Sequence, residues 1–164
     1  MHSREDCERL TFLHRANTIV VLVDGARLAV PAQRTNAQSE ASSILDSFLD
    51  AKMFGSHCRV EFVFSKLDRV DEAGAAAVEF LNTTETKLKT KFGDRVPHLA
   101  FRRIAARPEV EPGRWSLNEG LAEAFTAWTT PVNVGADTAP QGVPPSDARE
   151  FAKYGWRYSA RSGS

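Results

Sequence analysis

A lysine and an aspartate separated by one residue, Lys66 and Asp68, follow a mostly apolar run and are preceded by Ser65. The run, Val60–Phe64, is rich in β-branched and aromatic residues and predicts a buried strand that ends in a polar loop. In open parallel sheets, ligands bind beyond the carboxyl ends of the strands. We therefore predict that Ser65, Lys66 and Asp68 form a ligand-binding loop, to which the lysine contributes a cation and the aspartate a hydrogen-bond acceptor.

Two other apolar runs also end in residues that suit a binding loop. Thr18–Val23 ends at Asp24, and His98–Ile104 leads into Ala105-Ala106-Arg107. The unbroken apolar character of Thr18–Val23 predicts a strand that is buried on both faces. Because the carboxyl ends of parallel strands lie along one edge of a sheet, we expect all three loops at that edge.

The remaining segments supply the helices that such a sheet needs. Four of them repeat apolar residues at three- and four-residue spacing, and they alternate with the three strand segments. The predicted helices are Ser3–Arg15, Ser39–Met53, Asp71 to about Phe92, and Leu117–Thr129. We expect Asp71 to cap the third helix and a Ser116–Glu119 capping box to open the fourth. The residues before Ser39 are predicted to form a loop. This alternation predicts a three-layer α/β/α fold with a small parallel sheet of about three strands.

The composition changes near residue 131 and predicts three regions. Residues 3–130 form the α/β domain, residues 131–146 are a linker rich in proline and glycine, and residues 147–164 are an aromatic and basic tail. Interleaved aromatic and basic residues are also found in segments that bind single-stranded nucleic acid. We expect this tail instead to pack on the chain's own surface or to dock on a protein partner.

Composition and charge narrow the class of protein. The 164 residues include 21 basic and 21 acidic side chains, which favours neither nucleic acid nor a membrane surface as partner. No apolar run approaches the ~20 residues that span a bilayer, and the charged N-terminus lacks the apolar segment of a signal peptide. Cys7 and Cys58 form no Cys-x-x-Cys pair, and the histidines show no metal-ligand spacing. These features predict a cytoplasmic protein with ordinary core thiols and no metal site.

The loop and the turn match the pattern of a known family. Ser65-Lys66-Leu67-Asp68 agrees at three of four positions with the Asn/Thr-Lys-x-Asp base-recognition motif, with serine in the asparagine position. One strand–helix unit later, Ala105-Ala106-Arg107 loosely resembles a Ser-Ala-Lys-like turn. A solvated loop could carry the same letters by chance, but the strand before it, the helix after it and the second turn favour the motif. The chain thus resembles the second half of a P-loop GTPase domain, and is similar to GTPase-like proteins of bacterial regulatory and conflict systems.

This resemblance implies a pocket for the guanine base of GTP or GDP. Asp68 would accept hydrogen bonds from N1–H and the exocyclic amine of guanine, and adenine offers neither donor there. Lys66 would lay its stem along the base and ribose, the backbone N–H of Ala106 would donate to guanine O6, and Arg107 would cover the other face of the ring. Ser65 occupies the first position of the motif.

The phosphate-binding half of the family's site is missing from the sequence. It contains no Gly-x-x-x-x-Gly-Lys-Ser/Thr motif, and no Asp-x-x-Gly follows a strand segment. The resemblance therefore implies that Mg²⁺ and GTP hydrolysis require a P-loop-bearing segment from elsewhere. It also implies an uncovered edge on strand Thr18–Val23, which we expect a protein partner, a second copy of the chain or the rest of a longer product to cover. The alternative function is a protein-interaction module on the same scaffold that has lost its nucleotide.

Asp24 has two interpretations. An aspartate after four apolar residues is also the Walker B pattern, in which the carboxylate holds magnesium through water. The length of chain from Asp24 to Ser65 better fits a later strand of the family's sheet, in which Asp24 is structural and caps the following loop or the Arg27 side chain. We favour the structural role.

Overall fold

A three-stranded parallel sheet forms the centre of the computed structural model, which describes residues 16–53, 58–108 and 115–130. The strands are β1 (Thr18–Asp24), β2 (Arg59–Ser65) and β3 (Leu99–Arg103), and their order in the sheet follows their order in the chain. The predicted small parallel α/β fold is confirmed. The predicted helix Ser3–Arg15, the linker 131–146 and the tail 147–164 lie outside the described residues.

The central and edge strands are buried to different extents. In β2, every residue from Val60 to Phe64 is buried, as expected for a strand covered on both faces. In β1, buried residues alternate with exposed ones, and Val20 and Leu22 are 39% and 63% exposed. The prediction that Thr18–Val23 is buried on both faces is therefore wrong. An unbroken apolar run does not by itself show how many faces of a strand are covered.

Five helices surround the sheet in the described residues. They are α1 (Gly25–Ala29), α2 (Pro31–Asp50), α3 (Leu67–Glu72), α4 (Ala75–Phe92) and α5 (Leu121–Thr129). Helices α2 and α4 contribute Ala41, Leu45, Leu81 and Leu88 to the core on one face of the sheet, and α5 contacts the opposite face. The helices thus form two layers with the sheet between them, as predicted.

Helix α2 begins eight residues before its predicted start. The sequence predicts a loop over the whole segment from the Asp24-Gly25 turn to Gln38, because this segment contains a proline and several polar residues. The structure has α1 (Gly25–Ala29) in the first part of this segment. The structure instead has Pro31 at the first helical position, where proline is favoured because its missing N–H needs no partner. Between Pro31 and Gln38, the polar residues are exposed or half-buried, and the apolar Ala37 is the buried residue.

The predicted helix from Asp71 to Phe92 is two helices. Gly74 separates α3 from α4 with a backbone φ of 87°, a conformation that suits glycine. Asp71 is not the cap of this helix, because it lies within α3 and accepts a hydrogen bond from the Trp115 indole N–H (3.0 Å). The sequence pattern missed the break because the apolar spacing continues across it.

The last helix begins later than the capping box predicts. The Ser116 backbone N–H does donate to the Glu119 carboxylate (2.8 Å), as in one half of such a box. Helix α5 nevertheless starts at Leu121, after Gly120, which has φ of 75°. The Ser116–Glu119 pair therefore closes a turn before the helix rather than opening the helix itself.

One carboxylate is buried in the face of the sheet beneath α5. Glu61, on β2, has no exposed surface and pairs with Nε of Arg102 on β3. Its other oxygen accepts a hydrogen bond from the Trp128 indole N–H on α5 (3.0 Å). Beside it, Arg59 donates to the carbonyl oxygen of Ala127. Helix α5 is therefore attached to the sheet by polar contacts as well as by packing.

A buried hydroxyl in α4 predicts a stabilising substitution. Thr84 is fully buried, and its Oγ1 has no hydrogen-bond partner within the described part of the chain. Thr84→Val keeps the shape and removes the unsatisfied group, so we expect the free energy of unfolding to rise by about 1 kcal/mol. Denaturant unfolding monitored by circular dichroism measures this change. Thr83→Val is the matched control, because Thr83 is exposed on the same helix and should change stability little.

The thiol of Cys58 is predicted to react slowly in the native state. Cys58 is buried, and this burial raises the pKa of its thiol, so less thiolate is present at neutral pH. In a Cys7→Ser chain, a thiol reagent should therefore label Cys58 more than about ten-fold more slowly than in denaturant. Equal labelling rates in both conditions would show that Cys58 is accessible and would contradict the buried position.

Candidate functional site

The carboxyl ends of the three strands lie at one edge of the sheet. Asp24 at the end of β1 is paired in register with Ser65 at the end of β2. Beyond β3, the Ile104 N–H donates to the Phe64 carbonyl oxygen (2.9 Å), and the Leu67 N–H donates to the Ile104 carbonyl oxygen (3.3 Å). The structure therefore brings Ser65, Lys66 and the start of α3 between the other two strand ends, at the predicted edge of the sheet. The predicted loop is shorter than expected, because Leu67 and Asp68 already belong to α3.

Lys66 has an unusual backbone conformation at the centre of this site. Its φ and ψ are 52° and 46°, in the left-handed region that non-glycine residues seldom adopt. Such conformations persist where the surrounding structure fixes them, often at ligand sites. The Lys66 side chain is 57% exposed, and its ammonium lies 3.3 Å from the Asp24 carboxylate. The lysine of the loop is therefore held toward the end of β1 while remaining accessible.

The start of α1 is packed against the same loop at very short range. A Cβ atom on Gly25 would lie 2.0 Å from the Ser65 carbonyl oxygen and 3.0 Å from that of Lys66. Only glycine fits here, because both contacts are with backbone atoms that cannot turn aside. The Ser65 hydroxyl also makes a long contact with the Val23 carbonyl oxygen (3.4 Å). The loop is thus supported by β1 and α1 together.

Asp24 is the cap of α1. Its Oδ1 accepts a hydrogen bond from the Ala26 N–H (3.0 Å), as expected of an aspartate at this position. Arg27 does not bond to Asp24 but makes a two-point contact with Glu40 on α2, with Nη2 to Oε1 at 3.0 Å. Hydrogen bonding to this guanidinium lowers the pKa of Glu40 and raises that of Arg27. The geometry agrees with the structural interpretation of Asp24 as a loop cap.

Asp68 lies deeper than the other residues of the loop. It falls in the first turn of α3, between the buried Leu67 and the half-buried Arg69, and is only 4% exposed. A base that contacts the Asp68 carboxylate must therefore reach into the protein or draw this turn outward.

The turn after β3 forms the other side of the site. Ala105 is buried and its N–H donates to the Glu119 carbonyl oxygen (3.0 Å), while the Ala106 carbonyl accepts from Asn118 (3.0 Å). Ala106 itself is half-buried and Arg107 is exposed. The backbone of this turn is thus fixed from the α5 side, and the Arg107 side chain extends into solvent.

Comparison with protein families identifies the kind of domain. A family model described as Double-GTPase 2 matches residues 1–129. The chain belongs to the Double-GTPase 2 family. The matched range contains every described strand and helix, together with the loop and the turn of the candidate site. Comparisons with curated proteins and with solved structures each found no significant match.

Family membership supports a GTPase-related domain. The residues predicted to recognise the base are Ser65, Lys66, Asp68, Ala106 and Arg107. Of these, Ser65 ends β2, Lys66 follows it and Asp68 lies in the first turn of α3. Ala106 and Arg107 lie in the neighbouring turn. An Asp-x-x-Gly string is present from Asp71 to Gly74, but it ends a helix rather than following a strand. Within residues 16–53, 58–108 and 115–130, no cluster of His, Cys, Asp or Glu is arranged to hold a metal ion.

Gly25 is the residue of the site that sequence reasoning missed. The only signal was the Asp24-Gly25 dipeptide, which is typical of a turn at the end of a strand. Its close approach to Ser65 follows from the register of β1 and β2, which the sequence does not show.

None of the helices that the structure describes combines the length and apolarity needed to cross a membrane.

Proposed function

We propose that this Double-GTPase 2 domain binds guanine nucleotides and supplies the base-recognition part of the site. The observation that carries the proposal is the position of Ser65-Lys66-Leu67-Asp68, which follows the central strand and lies directly beside the Ile104–Arg107 turn. Ligands of open parallel sheets bind at this edge. The family match adds support because it covers this whole region.

The chemistry of the site suits guanine rather than adenine. Asp68 is the selective residue, because its carboxylate accepts from the two neighbouring donors of guanine, N1–H and the exocyclic amine. Lys66, half-exposed and fixed in a left-handed conformation, supports the base and ribose with its stem. Ala106 donates its N–H to guanine O6, and Arg107 closes over the ring. The residues present therefore fit a guanine nucleotide.

Hydrolysis of GTP would need groups that the described residues do not bring to this site. The lysine of a P-loop and the serine or threonine that holds Mg²⁺ belong to a Gly-x-x-x-x-Gly-Lys-Ser/Thr motif, which the sequence does not contain. When bound, Mg²⁺ would neutralise charge on the phosphates. We therefore propose that this chain reads the base and that a P-loop-bearing segment would complete a GTP hydrolase.

Replacing the selective carboxylate tests the proposal. We expect labelled GDP to bind in preference to ADP, and Asp68→Asn to weaken GDP binding by about ten-fold or more, because a charged hydrogen bond is lost. The asparagine amide can donate to the C2 carbonyl of xanthine, so the same variant should gain affinity for xanthosine diphosphate. This gain cannot result from unfolding. The measurement is a fluorescence titration with the three nucleotides.

Glu72→Gln is the matched control for this titration. Glu72 is on the same helix, α3, and forms an exposed ion pair with Arg69 (3.0 Å), so its replacement should leave nucleotide binding unchanged. The guanine proposal fails if the unaltered chain shows no preference for GDP over ADP, or if Asp68→Asn binds GDP as well as the unaltered chain does.

An interaction module is the second candidate, and the exposed surface of β1 favours it. Leu22 and Val20 lie on one face of this strand at 63% and 39% exposure, and no described strand pairs with its outer edge. Exposed apolar residues on an unpaired edge suit a protein partner or a second copy of the chain. Failure to bind any of the three nucleotides, together with self-association of the purified chain, would support this candidate.

A further inference from the structure

We propose that Asp24 is a positioning residue of the nucleotide site and acts by holding the Lys66 ammonium in place. This inference rests on the proposed guanine-binding function and adds a residue that lies outside the base-recognition motif. The Lys66 Nζ lies 3.3 Å from both oxygens of the Asp24 carboxylate. The two residues are far apart in the sequence and meet because β1 and β2 end side by side.

The Asp24 carboxylate is itself fixed in position. Oδ1 accepts a hydrogen bond from the Ala26 N–H, which restricts rotation of the side chain. Gly25, the next residue, is in backbone contact with Ser65 and Lys66, so the end of β1 cannot move relative to the loop without separating these atoms. The anion thus acts as a fixed point for a lysine whose long stem would otherwise sample many rotamers.

Orienting a flexible side chain before the ligand arrives improves binding, because less freedom is lost on association. The ion pair is partly exposed, with 57% of Lys66 and 36% of Asp24 accessible, so it is weak and the ammonium can shift toward a ligand. Asp24 therefore does not block the site. It fixes the side of the loop on which the Lys66 stem lies, and so where the base and ribose can rest.

A purely structural role for Asp24 predicts different GDP affinities in the variants from those that a role through Lys66 predicts. If Asp24 only caps α1, its replacement affects nucleotide binding equally with or without the Lys66 ammonium. If it acts through Lys66, its replacement has no further effect once that ammonium is gone. A double-mutant cycle separates the two roles.

The experiment compares the unaltered chain with Asp24→Asn, Lys66→Met and the double variant by titration with labelled GDP. Asparagine keeps an oxygen for the Ala26 N–H while removing the charge, and methionine keeps most of the apolar stem while removing the ammonium. We expect Asp24→Asn to weaken GDP binding about three- to five-fold in the unaltered background and to leave it unchanged in the Lys66→Met background. If Asp24→Asn unfolds the chain, Asp24→Ser replaces it, because serine also caps helices.

Each outcome decides a specific point. Equal GDP affinity for Asp24→Asn and the unaltered chain overturns this proposal alone, and so does an equal loss in both backgrounds. Lack of GDP-selective binding by the unaltered chain overturns the proposed function and this inference together. Thermal unfolding of all four proteins shows that any loss of affinity occurs in a folded chain.

Discussion

Replacing Gly25 by alanine is expected to lower the free energy of unfolding by about 3 kcal/mol and to remove measurable GDP binding. The new Cβ would lie 2.0 Å from the Ser65 carbonyl oxygen, far inside van der Waals contact. Alanine is the better helix former by about 1 kcal/mol, but this gain is smaller than the steric cost. Relief of the clash must separate α1 from the loop, so the position of Lys66 changes as well.

Gly74→Ala is the comparison for this variant. Gly74 has φ of 87° but open space where a Cβ would lie, so its replacement strains the backbone without disturbing another segment. We expect it to lower stability by about 1–3 kcal/mol and to leave GDP binding unchanged. Chemical denaturation and the GDP titration measure both effects. A Gly25→Ala chain with unaltered stability and affinity would show that the close contact with Ser65 does not exist in solution.

Replacing Glu61 by alanine is also expected to lower the free energy of unfolding by about 3 kcal/mol. The substitution leaves the Arg102 guanidinium without its buried partner and the Trp128 indole N–H without its acceptor. Arg102 keeps some exposure to solvent, so the loss should fall at the lower end of the range for broken buried ion pairs. Chemical denaturation, with tryptophan fluorescence to follow α5, measures it.

The next residue of β3 provides the matched control. Arg103 is on the opposite face and pairs with Glu85 at the surface (2.7 Å), so Glu85→Ala should cost less than about 1 kcal/mol. Replacing both Glu61 and Arg102 by methionine should recover part of the loss, because no charge is then left unpaired. Similar losses for Glu61→Ala and Glu85→Ala would show that burial does not distinguish the two pairs.

The sheet and its functional edge could be predicted from the sequence because they depend on local signals. Thr18–Val23 and Val60–Phe64 are β-branched and aromatic runs of strand length, and helices between them require parallel strands. The position of Lys66 and Asp68 then follows from where the second run ends. The edge of the sheet was therefore predictable to within a residue or two.

The errors occur where local signals compete. Pro31 and the polar residues after it resemble a loop, yet proline is favoured at a first helical turn and the exposed side of a helix is polar. The apolar spacing continues across Gly74, and the pattern alone does not show that the helix ends there. The depth of Asp68 and the contact of Gly25 depend on how separate elements pack, which no short stretch of sequence records.

The agreement between strand order and chain order affects how the site is made during synthesis. Chains emerge from the ribosome N-terminus first, so β1 and β2 can pair before β3 exists. That first pairing already brings Gly25 against Ser65 and Asp24 beside Lys66. The turn after Ile104 reaches the loop only when β3 has added to the far side of β2. The pairing of β1 with β2 therefore accounts for the lysine side of the candidate site, and the later addition of β3 accounts for its second side.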